Sequence, residues 1–277
     1  MKALVFNGPL DVRHESYPDP ELATDNSVIV KVERCSICGS DLHMYHGDNV
    51  GVANYSEGVE PFCVGHEFAG EVVEVGKSVH RHKVGQKVLA SGGAPCGRCE
   101  HCLSGHTALC KHWTAFGLST RLNGGQAEFV NVPMADLTLQ PIPEGVSDEQ
   151  SILLTDAMCT AYFGLTRTVM EPGDAVAVVG LGPIGLIGVE LAYVLGASKV
   201  YAIDPVANRR AHAANLGAVA LAPSQALPTI MEATKGAGGP RVSEASGAKS
   251  PVGRASKLAG RGRAASVMGR PPPDGQW

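Results

Sequence analysis

The sequence predicts an α/β chain in two parts, a β-rich first part followed by a doubly wound parallel sheet. Three observations carry that reading. Short β-branched runs punctuated by Gly, Pro and Asn fill residues 1 to about 140, the pattern of strands joined by tight turns. From Ala175 the chain alternates strand, glycine turn, helix, strand and helix, which specifies a parallel sheet with crossover helices. Within the first part, Cys96, Cys99, Cys102 and Cys110 cluster in one short run. Thiolates at that spacing can wrap one tetrahedral metal ion and leave no position open, the pattern of a structural zinc.

In chain order, strands are expected at residues 2–6, 28–32, 68–75, 87–89 and 127–130. Residues 141–145 read as a hinge-like connection, and Ser147 with Gln150 three residues on reads as a capped helix start. Residues 175–179 form a wholly apolar run expected to be a buried strand. A helix at 184–195, a strand at 199–203, a helix at 208–216 and a short strand at 219–221 follow.

Composition narrows the class. The 277 residues suffice for two domains, and 44% apolar against 18% charged residues allows buried cores. A net charge of −4 gives no general pull toward nucleic acid or membrane. Eight cysteines, clustered rather than spread, and no leader-like or bilayer-length apolar segment point to metal binding in a cytoplasmic protein. Charge is uneven: residues 241–277 carry seven Lys/Arg against two Asp/Glu, whereas the rest carries 16 against 25. The basic stretch lacks aromatic interleaving, which disfavours a nucleic-acid partner.

Gly180-Leu-Gly-Pro-Ile-Gly185 follows a strand and opens a helix, and Asp204 ends the next strand. Isolated, such a glycine pattern is a flexible turn; in this context it is a dinucleotide site. Gly180 allows the tight turn, Gly182 lets the backbone approach a pyrophosphate, and Gly185 lets helix and strand pack closely. Pro183 and Ile184 open the helix whose free N–H groups face the phosphates. Asp204 would accept ribose hydroxyls and repel a 2′-phosphate, favouring NAD over NADP. Arg209 either contacts the adenosine side or is a solvated helix residue.

Three further segments hold metal-ligand types: Cys35-Ser-Ile-Cys-Gly-Ser-Asp-Leu-His43, Gly65-His-Glu67 and Thr155-Asp-Ala-Met-Cys-Thr-Ala-Tyr162. Taken singly, each has an ordinary reading as a cap, a packed histidine or a hydroxyl turn. Together, CGSDLH at 38–43, GHEFAGEV at 65–72, the cysteine lobe, GGQAEF at 124–129 and GLGPIG at 180–185 resemble the zinc-dependent medium-chain dehydrogenases of the alcohol dehydrogenase superfamily. The resemblance covers residues 1 to about 235.

That resemblance implies a GroES-like catalytic domain over 1–145 with a structural-zinc lobe at about 92–113, and a Rossmann domain over 146–270. It implies two zinc ions per chain, the second held by Cys38, His66 and a residue four positions before Thr160. That residue is Asp156, with Cys159 the competing candidate. Asp41 would orient His66, Ser40 would meet the substrate oxygen, His43 would end a proton relay, and Glu67 would stand beside the metal. The implied reaction is hydride transfer between a small alcohol or polyol and NAD, in a family of homo-oligomers. The alternative is an impaired homologue that only binds zinc.

After Pro240 the family pattern decays, and the Rossmann part reads as truncated or frame-shifted. The expectation is that this stretch buries little apolar surface, that 271–277 is a disordered tail, and that the chain as written turns over poorly. Cys35 and Cys63 are expected to be small buried residues, and the remaining histidines to be exposed.

Overall fold

The structure is a computed structural model that describes residues 1–47, 60–235, 239–247, 251–260 and 263–268. It divides into two compact units, Met1–Asp156 and the chain from Ala157 onward.

The first unit holds strands β1 (Lys2–Gly8), β2 (Asp11–Ser16), β3 (Val28–Cys35), β4 (Phe62–Cys63), β5 (Phe68–Val75), β6 (Lys87–Ala90), β7 (Gly93–Ala94), β8 (Thr114–Ala115), β9 (Phe129–Val132) and β10 (Leu139–Pro141). Short helices α1 (Gly39–Tyr45), α2 (Glu100–Leu103), α3 (Ala135–Thr138) and α4 (Asp148–Ser151) punctuate them. Two larger antiparallel sheets result, ordered β2-β1-β4 and β10-β6-β5-β3-β9, beside a two-stranded pair of β7 and β8. Val28, Val30, Phe68, Val72, Val88, Phe116, Val130 and Leu139 form the main core. Val28 and Val30 share one face of β3, and the intervening Ile29 is buried as well, so the sheet is covered on both faces there. The strand expected at 127–130 lies at 129–132, because Ala127 bridges to Ala3 and Glu128 N–H bonds Lys2 O before the chain joins β3. This crossing ties the two sheets together. The start of α4 is as read: Ser147 accepts from Gln150 N–H at 3.2 Å, and Gln150 Oε1 accepts from Ser147 N–H at 3.0 Å.

The second unit contains α5 (Ala157–Arg167), β11 (Ala175–Val179), α6 (Pro183–Val194), β12 (Lys199–Ile203), α7 (Ala207–Asn215), β13 (Val219–Leu221), α8 (Pro223–Ala233), β14 (Arg241–Glu244), α9 (Pro251–Leu258) and β15 (Ala265–Val267). Its sheet is wholly parallel, ordered β13-β12-β11-β14-β15. Val176 and Val178 of β11 join one core with residues of α5, α6 and α7, whereas Ala177 and Val179 join another with residues of α8 and α9. That division explains why β11 is apolar throughout: side chains on both faces are buried.

The stretch after Pro240 corrects an expectation. Val242, Ser243 and Glu244 are fully buried, and Ala255 and Leu258 nearly so. β14 pairs with β11 on one side and β15 on the other, so small residues suffice to fill its place. Two basic residues of this stretch have a specific partner. Arg241 Nε and Arg263 donate to opposite oxygens of Asp174 at 3.0 and 2.7 Å. Residues 271–277 lie outside the described residues. Two smaller expectations also change: Cys63 is buried as expected, but Cys35 is exposed, and His82 is buried with Nδ1 facing Gln86 Oε1.

The Asp174 carboxyl is held down to about 2 from 3.8, chiefly by the Glu171 N–H and then by Arg241 and Arg263, against an opposing effect of burial. A depressed carboxylate stabilises the fold fully above its unfolded value and loses that contribution as pH falls through its folded value. Asp174→Asn should therefore lower stability by about 1.5–3 kcal/mol at neutral pH. Thermal melts should show the gap from wild type closing as pH falls from 3.8 toward about 2. A gap that does not change with pH would contradict this account.

Candidate active site

Two turns of the first unit bring three donor residues together. Cys38 lies just before α1, where its N–H donates to Asp41 Oδ2 at 2.9 Å and closes the first turn. Gly65, with φ of 95°, turns the chain so that His66 points inward. Asp156 ends the unit. The Cys38 sulfur, a His66 ring nitrogen and an Asp156 oxygen all lie within 4.8 Å of one another. Cys38 Sγ and His66 Nε2 are 3.7 and 3.6 Å from the same oxygen, Asp156 Oδ2. Cys159, the competing candidate, is not in this group and is exposed. One sulfur, one imidazole nitrogen and one carboxylate oxygen form a donor set that suits zinc and leaves a fourth position free.

The electrostatics call for a cation here. His66 is 5% and Asp41 8% exposed, and their facing atoms Nδ1 and Oδ1 are 3.3 Å apart. That is ion-pair range, but the ring direction is off line and neither atom makes a formed hydrogen bond. Burial alone would favour neutral imidazole, yet Asp156, Asp41 and Cys38 together push His66 up to about 12. Glu67, beside it, is buried and raised by that burial, while a hydrogen bond from Ser36 opposes the shift. Ser40 Oγ is 3.8 Å from Cys38 Sγ. His43 lies three residues further along α1 and is exposed, so the two share a helix face.

The second cluster is closed. The sulfurs of Cys96, Cys99, Cys102 and Cys110 lie within 4.8 Å of one another. The N–H groups of Cys96 and His112 each donate to Cys110 Sγ at 3.3 Å. The Cys102 N–H leads in lowering the Cys99 thiol to about 6. Such N–H donors favour thiolate, the form that binds metal.

In the second unit Gly180 adopts φ of 87°, and Pro183 opens α6 after Gly182. A Cβ at Gly185 would lie 1.8 Å from Gly180 O, whereas one at Gly182 would meet nothing within 4 Å. The two glycines thus differ: one allows packing, and the other leaves an open face at a helix N-terminus. Ile184 follows Pro183 in the first turn of α6. Asp204 is 2% exposed, and its oxygens accept from Leu181 N–H at 2.8 Å and Val206 N–H at 2.7 Å. Its carboxylate therefore also ties the glycine turn to β12. Arg209 approaches Asp204 Oδ2 at 3.7 Å.

The family model for the alcohol dehydrogenase GroES-like domain matches residues 24–144, and that for the zinc-binding dehydrogenase matches 183–276. The chain belongs to the zinc-dependent medium-chain dehydrogenases. A medium-chain reductase/dehydrogenase from Acremonium sp is 39% identical over 257 residues, covering 89% of this chain and 86% of that one. An L-threonine 3-dehydrogenase from Bacillus licheniformis is 35% identical over 277 residues, covering 98% and 77%. Among solved structures, the alcohol dehydrogenase of Thermus sp. ATN1 superposes with a TM-score of 0.86 at 35% identity, covering 94% and 75%. A zinc-binding dehydrogenase of Sinorhizobium meliloti 1021 bound to NADP superposes with 0.84 at 30% identity, covering 100% and 78%. The medium-chain dehydrogenases to which this chain belongs are zinc-dependent oxidoreductases of the alcohol dehydrogenase type.

Several residues that shape the site of this dehydrogenase are not evident from its metal-ligand pattern. Gln126 Nε2 donates to Ser36 O at 3.0 Å, and Gln126 N–H donates to Val64 O at 2.9 Å. A Cβ at Gly117 or Gly124 would come within 2.4 Å of the Val64–Gly65 backbone. The GGQ sequence at 124–126 was a visible signal without a visible role. Ser36 carried no signal. In the second unit, fully buried Glu244 accepts from Ser246 N–H at 2.8 Å, and the Ser246 backbone lies against Gly180.

Gly185→Ala places a methyl group against rigid backbone. It should destabilise the second unit by about 1–3 kcal/mol, seen as a lower melting temperature. Gly182→Ala should leave stability within about 1 kcal/mol of wild type, because its Cβ faces open space.

Proposed function

We propose that this chain carries out the reversible NAD-dependent oxidation of a small alcohol or polyol to the aldehyde or ketone, with two zinc ions of different roles. The observation that carries this is the three-donor group of Cys38, His66 and Asp156, which leaves a coordination position free. The four-cysteine group would hold the other zinc for structure. Zinc supplies Lewis acidity that brings an alcohol hydroxyl's pKa toward neutrality, and the nicotinamide cofactor supplies the hydride acceptor.

The chain's own residues do the rest. Asp41 faces His66 Nδ1 and so keeps Nε2 for the metal. Ser40, beside Cys38, is placed to take the substrate's proton, and His43 on the same helix face is placed to pass it to solvent. The open face at Gly182 and the N-terminus of α6 receive the pyrophosphate. Asp204 supports NAD over NADP by its charge rather than as a ribose acceptor, since it is buried with both oxygens accepting from Leu181 and Val206 N–H, and Arg209 is drawn to it rather than offered to a 2′-phosphate. The eight cysteines, five of them assigned here to metal, suit a reducing compartment, in keeping with a cytoplasmic enzyme. No helix among the described residues is long and apolar enough to cross a membrane.

The test is NADH formation by the purified chain with secondary alcohols, vicinal diols, polyols and L-threonine, alongside metal analysis. Turnover should favour NAD over NADP by about tenfold or more. Asp156→Ala should lower turnover by about 100-fold or more and reduce zinc content, while the four-cysteine zinc remains. Zinc at both clusters with no NADH formed across the panel would favour a homologue that only binds zinc. Full activity in Asp156→Ala would rule out the assigned metal set.

A further inference from the structure

Ser36 stands where the two ligand-bearing segments of the first unit cross. It is two residues before Cys38 on one segment. Its hydroxyl donates to Glu67 Oε2 on the other, next to His66. Its own N–H donates to Glu67 O at 3.2 Å, and its carbonyl accepts from Gln126 Nε2 at 3.0 Å. The Ser36 backbone is thus held from both sides, with its side chain starting next to Glu67. Glu67 is 6% exposed, so its carboxylate needs a partner inside the protein. The Ser36 hydroxyl is the partner it has, and Glu67 stands outside the three-donor group while following His66 directly in the chain, so the other partner open to it by a turn of its side chain is a cation held by those donors.

We propose that Ser36 is a positioning residue that commits the Glu67 carboxylate to itself and so keeps the metal's fourth position open to substrate. The proposal rests on Cys38, His66 and Asp156 being the metal-binding set. The chemistry is one of competition. A buried carboxylate beside a three-donor metal would complete its tetrahedral shell, and a shell with four protein donors serves structure rather than catalysis. A neutral hydroxyl donor satisfies the carboxylate without adding charge, and Gln126 holds the Ser36 backbone in place. Glu67 then contributes its negative charge to the site without occupying the site's free position.

The test uses the full chain loaded with cobalt in place of zinc, with imidazole as the probe of an open position. In wild type, imidazole should shift the visible cobalt spectrum. Ser36→Ala should need about tenfold more imidazole for the same shift and should release metal to a chelator about tenfold more slowly. Ser36→Thr, which keeps the hydroxyl, should behave as wild type. The double variant Ser36→Ala, Glu67→Gln should regain wild-type imidazole response, because the competing carboxylate is gone. A merely structural loss at Ser36 would loosen the metal and would not be reversed by changing Glu67. Cobalt content in Cys38→Ser separates the two levels. If it falls and Ser36→Ala still titrates as wild type, the Ser36 assignment alone is wrong. If it does not fall, the metal set is wrong and the Ser36 proposal goes with it.

Discussion

The candidate site depends on one backbone constraint, the strap of residues 124–126 laid across residues 63–65. Gly124 N–H bonds Cys63 O at 2.7 Å, Gly125 N–H bonds Gly65 O at 2.9 Å, and Gln126 N–H bonds Val64 O at 2.9 Å. The approach is so close that side chains at Gly117 or Gly124 would strike the strapped backbone. Gly65 can then hold its left-handed turn, and His66 emerges beside Cys38 and Asp156. Backbone hydrogen bonds among glycines set this geometry with little freedom, which is what a metal site of defined shape requires.

The same region concentrates negative charge around one imidazole. Asp41, Glu67, Asp156 and Cys38 all bear on His66 or on one another, in a setting where Asp41, His66 and Glu67 are buried. Buried anions in this number cost stability unless a cation joins them. The cysteine lobe solves a related problem differently, with N–H donors from its own turns directed at sulfur. One cluster is saturated by its own four donors, and the other has three with a free position. That difference in coordination separates a structural role from a chemical one.

In the second unit, the glycine turn at 180–185 is set by contacts from the ends of two strands, β12 and β14. Asp204 reaches back from β12 to the Leu181 N–H, and Ser246 beyond β14 closes against Gly180. Gly180 N–H itself donates to Ile203 O at 2.8 Å. The turn is thereby pre-shaped, so binding a pyrophosphate need not order it. Arg241 and Arg263, which looked like part of an unstructured basic stretch, instead neutralise Asp174.

Much of this was legible in the sequence because it is local. Helix capping at Ser147, the apolar run of β11, the glycine spacing of 180–185 and the cysteine spacing of 96–110 each involve residues a few positions apart, where backbone geometry alone dictates the outcome. The pairing of Cys38 with His66 and Asp156 was reachable only through resemblance, since they are far apart in the chain. What tertiary structure decided is of another kind. Ser36 meets Glu67 across 31 positions, Gln126 meets Ser36 across 90, and Arg263 meets Asp174 across 89. It also decided that Cys63 is buried while Cys35 is exposed, and that Asp204 turns inward to hold backbone N–H groups. No local pattern encodes such contacts. They arise when separate strands are brought into register, so a serine, a glutamine or an arginine acquires its role only from what the fold places beside it.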